Sequence, residues 1–512
     1  MADRTTADAA QGDERVLEGF GYKPQLKRTL KPWAVFGIAF SFMSITTSVY
    51  TSYGYGLGKF GPASVLLWPA VLVGQVLVAL IIAELGSRIP LAGYSYQWGA
   101  RLVNTGYGWL IAIFALAYLL ASAATITYVL VAPFIAAMLG WNASNLDLLV
   151  IAFCALALTA VINIVGVRLF ARINSVAVAC EIVAALVIAV VVAVAYFVKP
   201  DHPVSFLVNT GGVHGSAVWA GVMGAMVMGL FSLTGFESAA DISEEAVGAT
   251  GSVPRAVIYS LVGSGLVGFI SLLCFALATP DISAIANSSS PVVAIIAHWL
   301  GGTASRVLIV FPLVAVLGTA LAVVAVQGRL LFALARDNVA PGSSLLRRVN
   351  HAKTPGPAIA VGTLLSAGLL VYAYFQASAF DVLLGATSIL PYVVYLMLIA
   401  AYVARRRELA RLAAPGTFSL GRWAVPVFGL AFVWLIGALL MLTVPGSFHS
   451  ADVVVGIVAA IGVVWYGAAL HWRVRAGRAG VEALTAGQQA MKRVPAPAGL
   501  PDAVAVDGLD GE

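Results

Sequence analysis

The sequence predicts an all-α, polytopic membrane protein with twelve transmembrane helices. Of its 512 residues, 61% are hydrophobic and only 10% are charged, against about 25% charged in an ordinary soluble domain. Mean hydropathy is +0.95, and apolar runs long enough for a hydrocarbon core of about 30 Å recur almost to the C-terminus. The basic residues gather in the short loops between those runs, which is the topology signal of a membrane protein and not a nucleic-acid-binding surface, despite a pI near 9.2.

Residues 1–32 are polar and charged and read as a cytoplasmic N-terminal segment without a cleavable signal sequence, the apolar stretch after them being too long for a signal-peptide core. The twelve spans, numbered 1 to 12, are 33–57, 63–87, 106–132, 146–165, 171–198, 219–245, 255–279, 305–334, 357–377, 381–404, 423–444 and 451–472. With the N-terminus inside, all of the 29 Lys and Arg except Lys59, Lys199 and Arg306 fall on the inner side. That asymmetry predicts two cytoplasmic termini and an even number of crossings. Residues 473–512, rich in Ala, Gly and Pro, read as a disordered tail, and residues 1–20 look similar.

Two spans differ from the rest. Span 1 runs Phe40-Ser41-Phe42-Met43-Ser44-Ile45-Thr46-Thr47-Ser48-Val49-Tyr50-Thr51-Ser52-Tyr53-Gly54-Tyr55-Gly56, dense in hydroxyls at mid-depth. Span 6 contains Gly229-Leu230-Phe231-Ser232-Leu233-Thr234-Gly235-Phe236-Glu237-Ser238, a carboxylate beside an aromatic ring and a helix-weakening glycine. An ionisable group at that depth faces a protein cavity by default. The two segments lie five spans apart, so they run antiparallel. Interrupted segments at corresponding places of two inverted halves are the sequence pointer to a solute site at the midplane.

Four blocks then resemble the amino acid–polyamine–organocation (APC) superfamily of permeases. They are Ala83-Glu84-Leu85-Gly86-Ser87-Arg88-Ile89-Pro90-Leu91-Ala92-Gly93-Tyr94-Ser95-Tyr96-Gln97-Trp98 leaving span 2; Thr234-Gly235-Phe236-Glu237 with Ser243-Glu244-Glu245; Val253-Pro254-Arg255-Ala256 entering span 7; and Gly328-Arg329-Leu330-Leu331-Phe332-Ala333-Leu334-Ala335-Arg336-Asp337 leaving span 8. The acidic residue after Gly-Phe is similar to the amino acid/choline subgroup. The resemblance implies a leucine-transporter-like five-plus-five inverted repeat, residues 33–198 and 219–404, with spans 1 and 6 discontinuous and two extra helices at 423–472. It also implies a secondary active transporter of amino acids or related amines, working by alternating access as a symporter or exchanger; the alanine-rich composition and the lack of a targeting signal point to a plasma or bacterial inner membrane.

The implied substrate-binding residues are Ser44, Ile45, Thr46, Thr47 and Ser48 in an unwound stretch of span 1, and Gly235, Phe236 and Glu237 in span 6. Relatives carry Gly-Ser/Thr-Gly in span 1, where bare backbone N–H groups hold a carboxylate. This chain has no glycine between Gly37 and Gly54, which leaves a choline, polyamine or γ-aminobutyrate carrier open beside an amino acid carrier. Phe236 offers a ring face to an ammonium, and Glu237 a counter-charge or a proton site.

Glu181, about ten residues into span 5, aligns where proton-coupled relatives have a lysine. It could carry a proton, attract sodium, or serve as a structural carboxyl group. Thr319 in span 8 is a single hydroxyl where sodium sites of this fold use two adjacent ones. The coupling ion is therefore expected to be H+ rather than Na+. Asp241, Glu244 and Glu245 read as an inner gate paired with arginines such as Arg88 or Arg336, and Glu84 with Arg88 as an i,i+4 lock.

Enzymatic chemistry finds no support. The six histidines lack metal spacing, Cys154, Cys180 and Cys274 lie within spans, and no phosphate-cradling glycine loop occurs. No cofactor, metal, catalytic residue or nucleic-acid partner is expected. A sensor that binds a ligand without moving it is the alternative from another class.

Overall fold

The computed structural model describes residues 12–481, except 289, 377–378, 413–416 and 445–448. Most of the expected tail, 482–512, and residues 1–11 lie outside the described residues. The described spans are helical apart from breaks in spans 1 and 6, and the outer faces of spans 5, 11 and 12 expose Val194, Phe197, Val433, Leu440 and Val464. Such side chains outward, with buried serines, threonines and carboxyl groups inward, invert the pattern of a soluble domain and suit a hydrocarbon solvent.

Burial ranks the spans. The apolar windows of spans 1 and 8 are 83% and 78% buried inside the molecule, whereas those of spans 11 and 12 are 22% and 17% buried. Spans 1 and 8 therefore form the axis, spans 3 and 10 pack around them, and the last two helices lie at the periphery. This is a five-plus-five bundle with two added helices.

Span 1 is two helices, Pro32–Met43 and Ile45–Phe60, separated by Ser44 alone at φ 36° and ψ 88°. The expected unwound stretch Ser44–Ser48 is thus corrected: Ile45, Thr46, Thr47 and Ser48 are the first turn of the second helix. The break needs no glycine because Ser44 caps that helix. Its Oγ accepts from the Thr47 N–H at 3.2 Å, and a hydroxyl at this position offsets part of the left-handed strain. Span 6 is Ala217–Ser232, then a non-helical stretch, then the short helix Ser238–Asp241.

At Gly235 φ is +100°, and a Cβ there would stand 2.4 Å from Phe42 Cδ1. Gly235→Ala is accordingly expected to destabilise the fold by about 1–3 kcal/mol, read as a lower unfolding temperature in detergent. An unchanged temperature would show that the break relaxes freely.

Three features depart from the expected layout. Pro291–Leu308 is long and apolar enough to count as a candidate span, while Ala217–Ser232 falls short of that length. Gly301 kinks the former at φ 83°, leaving a helix of about 15 Å before the kink, half of a hydrocarbon core. That helix packs on Ile45–Phe60, the half of span 1 away from the termini, and is a loop helix, so the count of crossings stays at twelve. Second, a helix Tyr94–Leu102 folds back between spans 2 and 3. Third, the ends are ordered further than composition suggests. Residues 12–19 are helical, and the expected disordered tail is structured through residue 481, where Gly480 N–H donates to Asp337 O at 2.8 Å.

Both described ends meet at the same face of the bundle, since the Tyr22 hydroxyl also donates to Asp337, at 2.7 Å. This terminal face carries a strap. Leu30 pairs with Ala246 in a parallel bridge, and the Asp13 carboxylate accepts from the N–H groups of Gly248 and Ala249 at the start of span 7, at 2.7 and 3.1 Å. Burial raises the Tyr22 hydroxyl pKa, which keeps it a donor at neutral pH.

Candidate functional site

The two breaks lie side by side at the centre of the bundle and border a cavity of about 60 Å3. Its polar lining is made of hydroxyls from five spans: Thr47 and Ser48, Ser122 and Thr125, Thr234, Thr319 and Thr387, with Tyr118 and Phe231 as aromatic walls. A second cavity of about 310 Å3 shares Thr47, Thr125, Ile126 and Phe231 with it and reaches Ser290 and Val293 towards the face opposite the termini. Among the described residues, neither has a charged side chain in its lining. A π-helical turn, Ile126–Val131, interrupts span 3 beside both cavities, an irregularity frequent at functional sites.

Of the substrate-binding residues expected from sequence, Thr47 and Ser48 line the central cavity. Ser44 caps the helix below them, and its Oγ lies 2.7 Å from Thr47 Oγ1. Ile45 and Thr46 are fully buried in the same turn. Glu237 and Phe236 are not in the lining. Phe236 stacks on Tyr395 at 5.3 Å between centroids. The Tyr395 hydroxyl donates to Glu237 Oε2 at 2.5 Å, and the same oxygen accepts from the Gly235 N–H at 3.1 Å. Here Glu237 ties the break of span 6 to span 10, and Thr234 is the residue of that break that meets the cavity.

Glu181 is fully buried. Its carboxyl group faces the Ser44 hydroxyl and the backbone N–H groups of Ile45 and Thr46, without closing a hydrogen bond. These are the unpaired donors of the first turn of Ile45–Phe60, and a carboxyl group there sits at the positive end of the helix. On the other flank of that turn, Thr319 Oγ1 lies 3.4 Å from Thr47 Oγ1. The structure therefore brings both coupling-ion candidates to one helix start.

The gate residues form separate locks on the terminal face. Arg336 holds Glu244 through two hydrogen bonds of 2.8 and 2.9 Å, while its guanidinium lies 3.7 Å from the centroid of Tyr22. Glu245 is held by Arg329, at 2.7 and 3.1 Å. Arg88 pairs with Glu84 at 2.5 Å, and Tyr402 also donates to Glu84, at 2.7 Å. So Arg88 does not serve the acids of span 6, a correction to the expected pairing. Asp241 has no arginine partner among the described residues either; its carboxyl group faces the backbone N–H groups of Gly93 and Tyr94 without closing a hydrogen bond. Spans 6 and 8 are thus clamped twice on this side.

Sequence reasoning passed over Tyr118, Ser122 and Thr125, although their i, i+4, i+7 spacing puts one polar stripe on an apolar helix. It also passed over Tyr395 and Thr387 in span 10, and over Arg329 as the partner of Glu245. Among the described residues no group of three or more His, Cys, Asp or Glu could hold a metal ion.

A family model described as amino acid permease matches residues 30–466. The chain belongs to the amino acid permease family. The permease is 25% identical to amino-acid permease BAT1 of Arabidopsis thaliana over 492 residues, covering 89% of this chain and 94% of that one. It is 29% identical to a GABA-specific permease of Saccharomyces cerevisiae over 302 residues, 55% of this chain and 52% of the relative. Among solved structures it superposes on MhsT, crystallised with L-phenylalanine, with a TM-score of 0.59 at 14% identity, covering 81% of this chain and 98% of MhsT. That likeness fixes the leucine-transporter-like fold. The relatives are permeases and transporters, and the permease is a membrane transporter, not an enzyme.

Proposed function

We propose that the permease carries a small zwitterionic amino acid by alternating access, coupled to protons. The observation that carries this reading is the uncharged, hydroxyl-lined cavity between two helix breaks. A polyamine or choline would bury positive charge with no acid in the lining, at a penalty of several kcal/mol per ion. A zwitterion has both ends matched by the fold. Its carboxylate meets the first turn of Ile45–Phe60, and its ammonium meets the carbonyl end of Ala217–Ser232, the positive and negative poles of two helices. The relatives named for amino acids and for γ-aminobutyrate support a substrate with one amine and one carboxylate.

In this reading residues 33–198 and 219–404 are the two inverted repeats, 423–472 are the added spans, and both termini are cytoplasmic in a plasma or inner membrane. The wider cavity opens to the outside, and movement of span 6 away from span 8 releases substrate inward. Glu181 is the proton site, because it is a carboxyl group at the helix start that also holds the substrate. Sodium is disfavoured because span 8 offers the single hydroxyl of Thr319 where sodium sites of this fold use two adjacent ones, and a hard cation needs oxygen ligands in number.

Purified protein in liposomes is expected to show saturable uptake of a neutral amino acid or γ-aminobutyrate, driven by an imposed proton gradient and indifferent to sodium. Uptake of polyamines or choline instead would overturn the substrate class. Flux requiring internal substrate would make it an exchanger, and saturable binding without flux would make it a sensor. Thr319→Val, which keeps the shape and removes one hydroxyl, is expected to raise KM about fivefold, the worth of one hydrogen bond. A KM equal to wild type would take Thr319 out of the site.

A further inference from the structure

The Val253-Pro254-Arg255-Ala256 block has no part in the central cavity. It lies at the start of span 7 on the terminal face, where the helix Ala249–Leu277 begins. Pro254 sits inside that helix and lacks the N–H that would bond to Thr250 O. The Ser87 hydroxyl takes that carbonyl, at 2.6 Å, and Ser87 Oγ in turn accepts from the Phe418 N–H at 2.8 Å. The missing donor thus joins spans 2 and 7 to the loop before span 11, and the joint leaves a cavity of about 280 Å3.

The cavity is lined by Gly251, Pro254, Arg255, Ile258 and Tyr259, one stripe of the helix, with Phe418 across from them. Arg255 is exposed, and no hydrogen bond or ion pair ties it to another of the described residues. The loop that supplies Phe418 adds Arg405, Arg406, Arg407, Arg411 and Arg422 against the single acid Glu408.

Away from the cavity the same helix face continues as Tyr259, Gly263, Leu266 and Ile270. Tyr259, Leu266 and Ile270 are 61%, 54% and 44% exposed, and at Gly263 an added Cβ would meet nothing nearer than Phe40 Cε2 at 4.0 Å. A forked cation beside a cavity, leading into an apolar lane toward the bilayer centre, matches a phosphate headgroup followed by an acyl chain. We propose that this cavity binds one anionic glycerophospholipid from the leaflet at the terminal face, its phosphate on Arg255 and its chain along Tyr259, Leu266 and Ile270. A bound lipid would brace the junction of span 7 with span 2.

The test is native mass spectrometry of the full-length protein released from detergent with phosphatidylglycerol or phosphatidylcholine present. One phosphatidylglycerol is expected to be retained in preference to phosphatidylcholine. Arg255→Gln is expected to reduce that retention about tenfold, the worth of a charge-assisted hydrogen bond, and Arg255→Lys to restore part of it. Equal retention of both lipids, or wild-type selectivity in Arg255→Gln, would overturn the proposal. Displacement of the lipid by millimolar glycerol 3-phosphate would overturn the lane, showing a site for a free phosphate and not for a lipid.

Discussion

Arg329→Met is expected to cost the protein about 3–5 kcal/mol, because it strands the Glu245 carboxylate at a buried position. Arg329 is fully buried and Glu245 nearly so, and the guanidinium also donates to Ala325 O at 2.8 Å. Water cannot replace such a partner. The expected readout is a collapse of the monodisperse peak in size-exclusion chromatography after mild heating. Glu245→Met alone should behave likewise, with Arg329 left unpaired. The double variant is expected to recover much of the loss, since two apolar side chains bury no charge. Full stability of either single variant would show that water reaches the pair and that the clamp between spans 6 and 8 is weak.

Glu237→Gln is expected to lower transport about 10- to 100-fold while leaving expression intact, the range of one charge-assisted hydrogen bond. The reason is positional. Glu237 Oε2 receives both the Tyr395 hydroxyl and the Gly235 N–H, so it sets the conformation of the break whose Thr234 meets the cavity. Tyr395→Phe removes the same contact from the other side, and the two changes together should cost no more than the larger alone. Additive losses would separate the residues and return Glu237 to direct contact with substrate in another state. Uptake unchanged in Glu237→Gln would remove it from the mechanism.

Much of this molecule was legible from the chain. The number of crossings follows from hydropathy, because a helix must satisfy its own backbone in lipid and needs a fixed length to cross it. The discontinuity of span 6 follows from Gly235 beside Glu237, since neither belongs in a lipid-facing helix. The coupling candidates Glu181 and Thr319 were legible as polar groups at mid-depth. The Pro291–Leu308 helix was not, because its kink at Gly301 separates a loop helix from span 8 with no change in composition. The ordered segments at 12–19 and 473–481 were missed for a related reason. Their composition is that of solvated tails, and what holds them is a few contacts to the terminal face, such as Asp13 on the start of span 7.

Composition and periodicity by themselves determined the membrane class, the break in span 6 and the polar residues at depth, since each is a free energy of transfer or helix formation that a residue carries wherever it folds. Partner choice was decided only in three dimensions. Arg88 turns to Glu84 and Arg329 to Glu245, Glu237 turns to Tyr395 and leaves Thr234 at the cavity, and Ser44 breaks span 1 without a glycine. A hydrogen bond or ion pair depends on ångström distances between elements remote in sequence, and those distances exist only once twelve helices have packed.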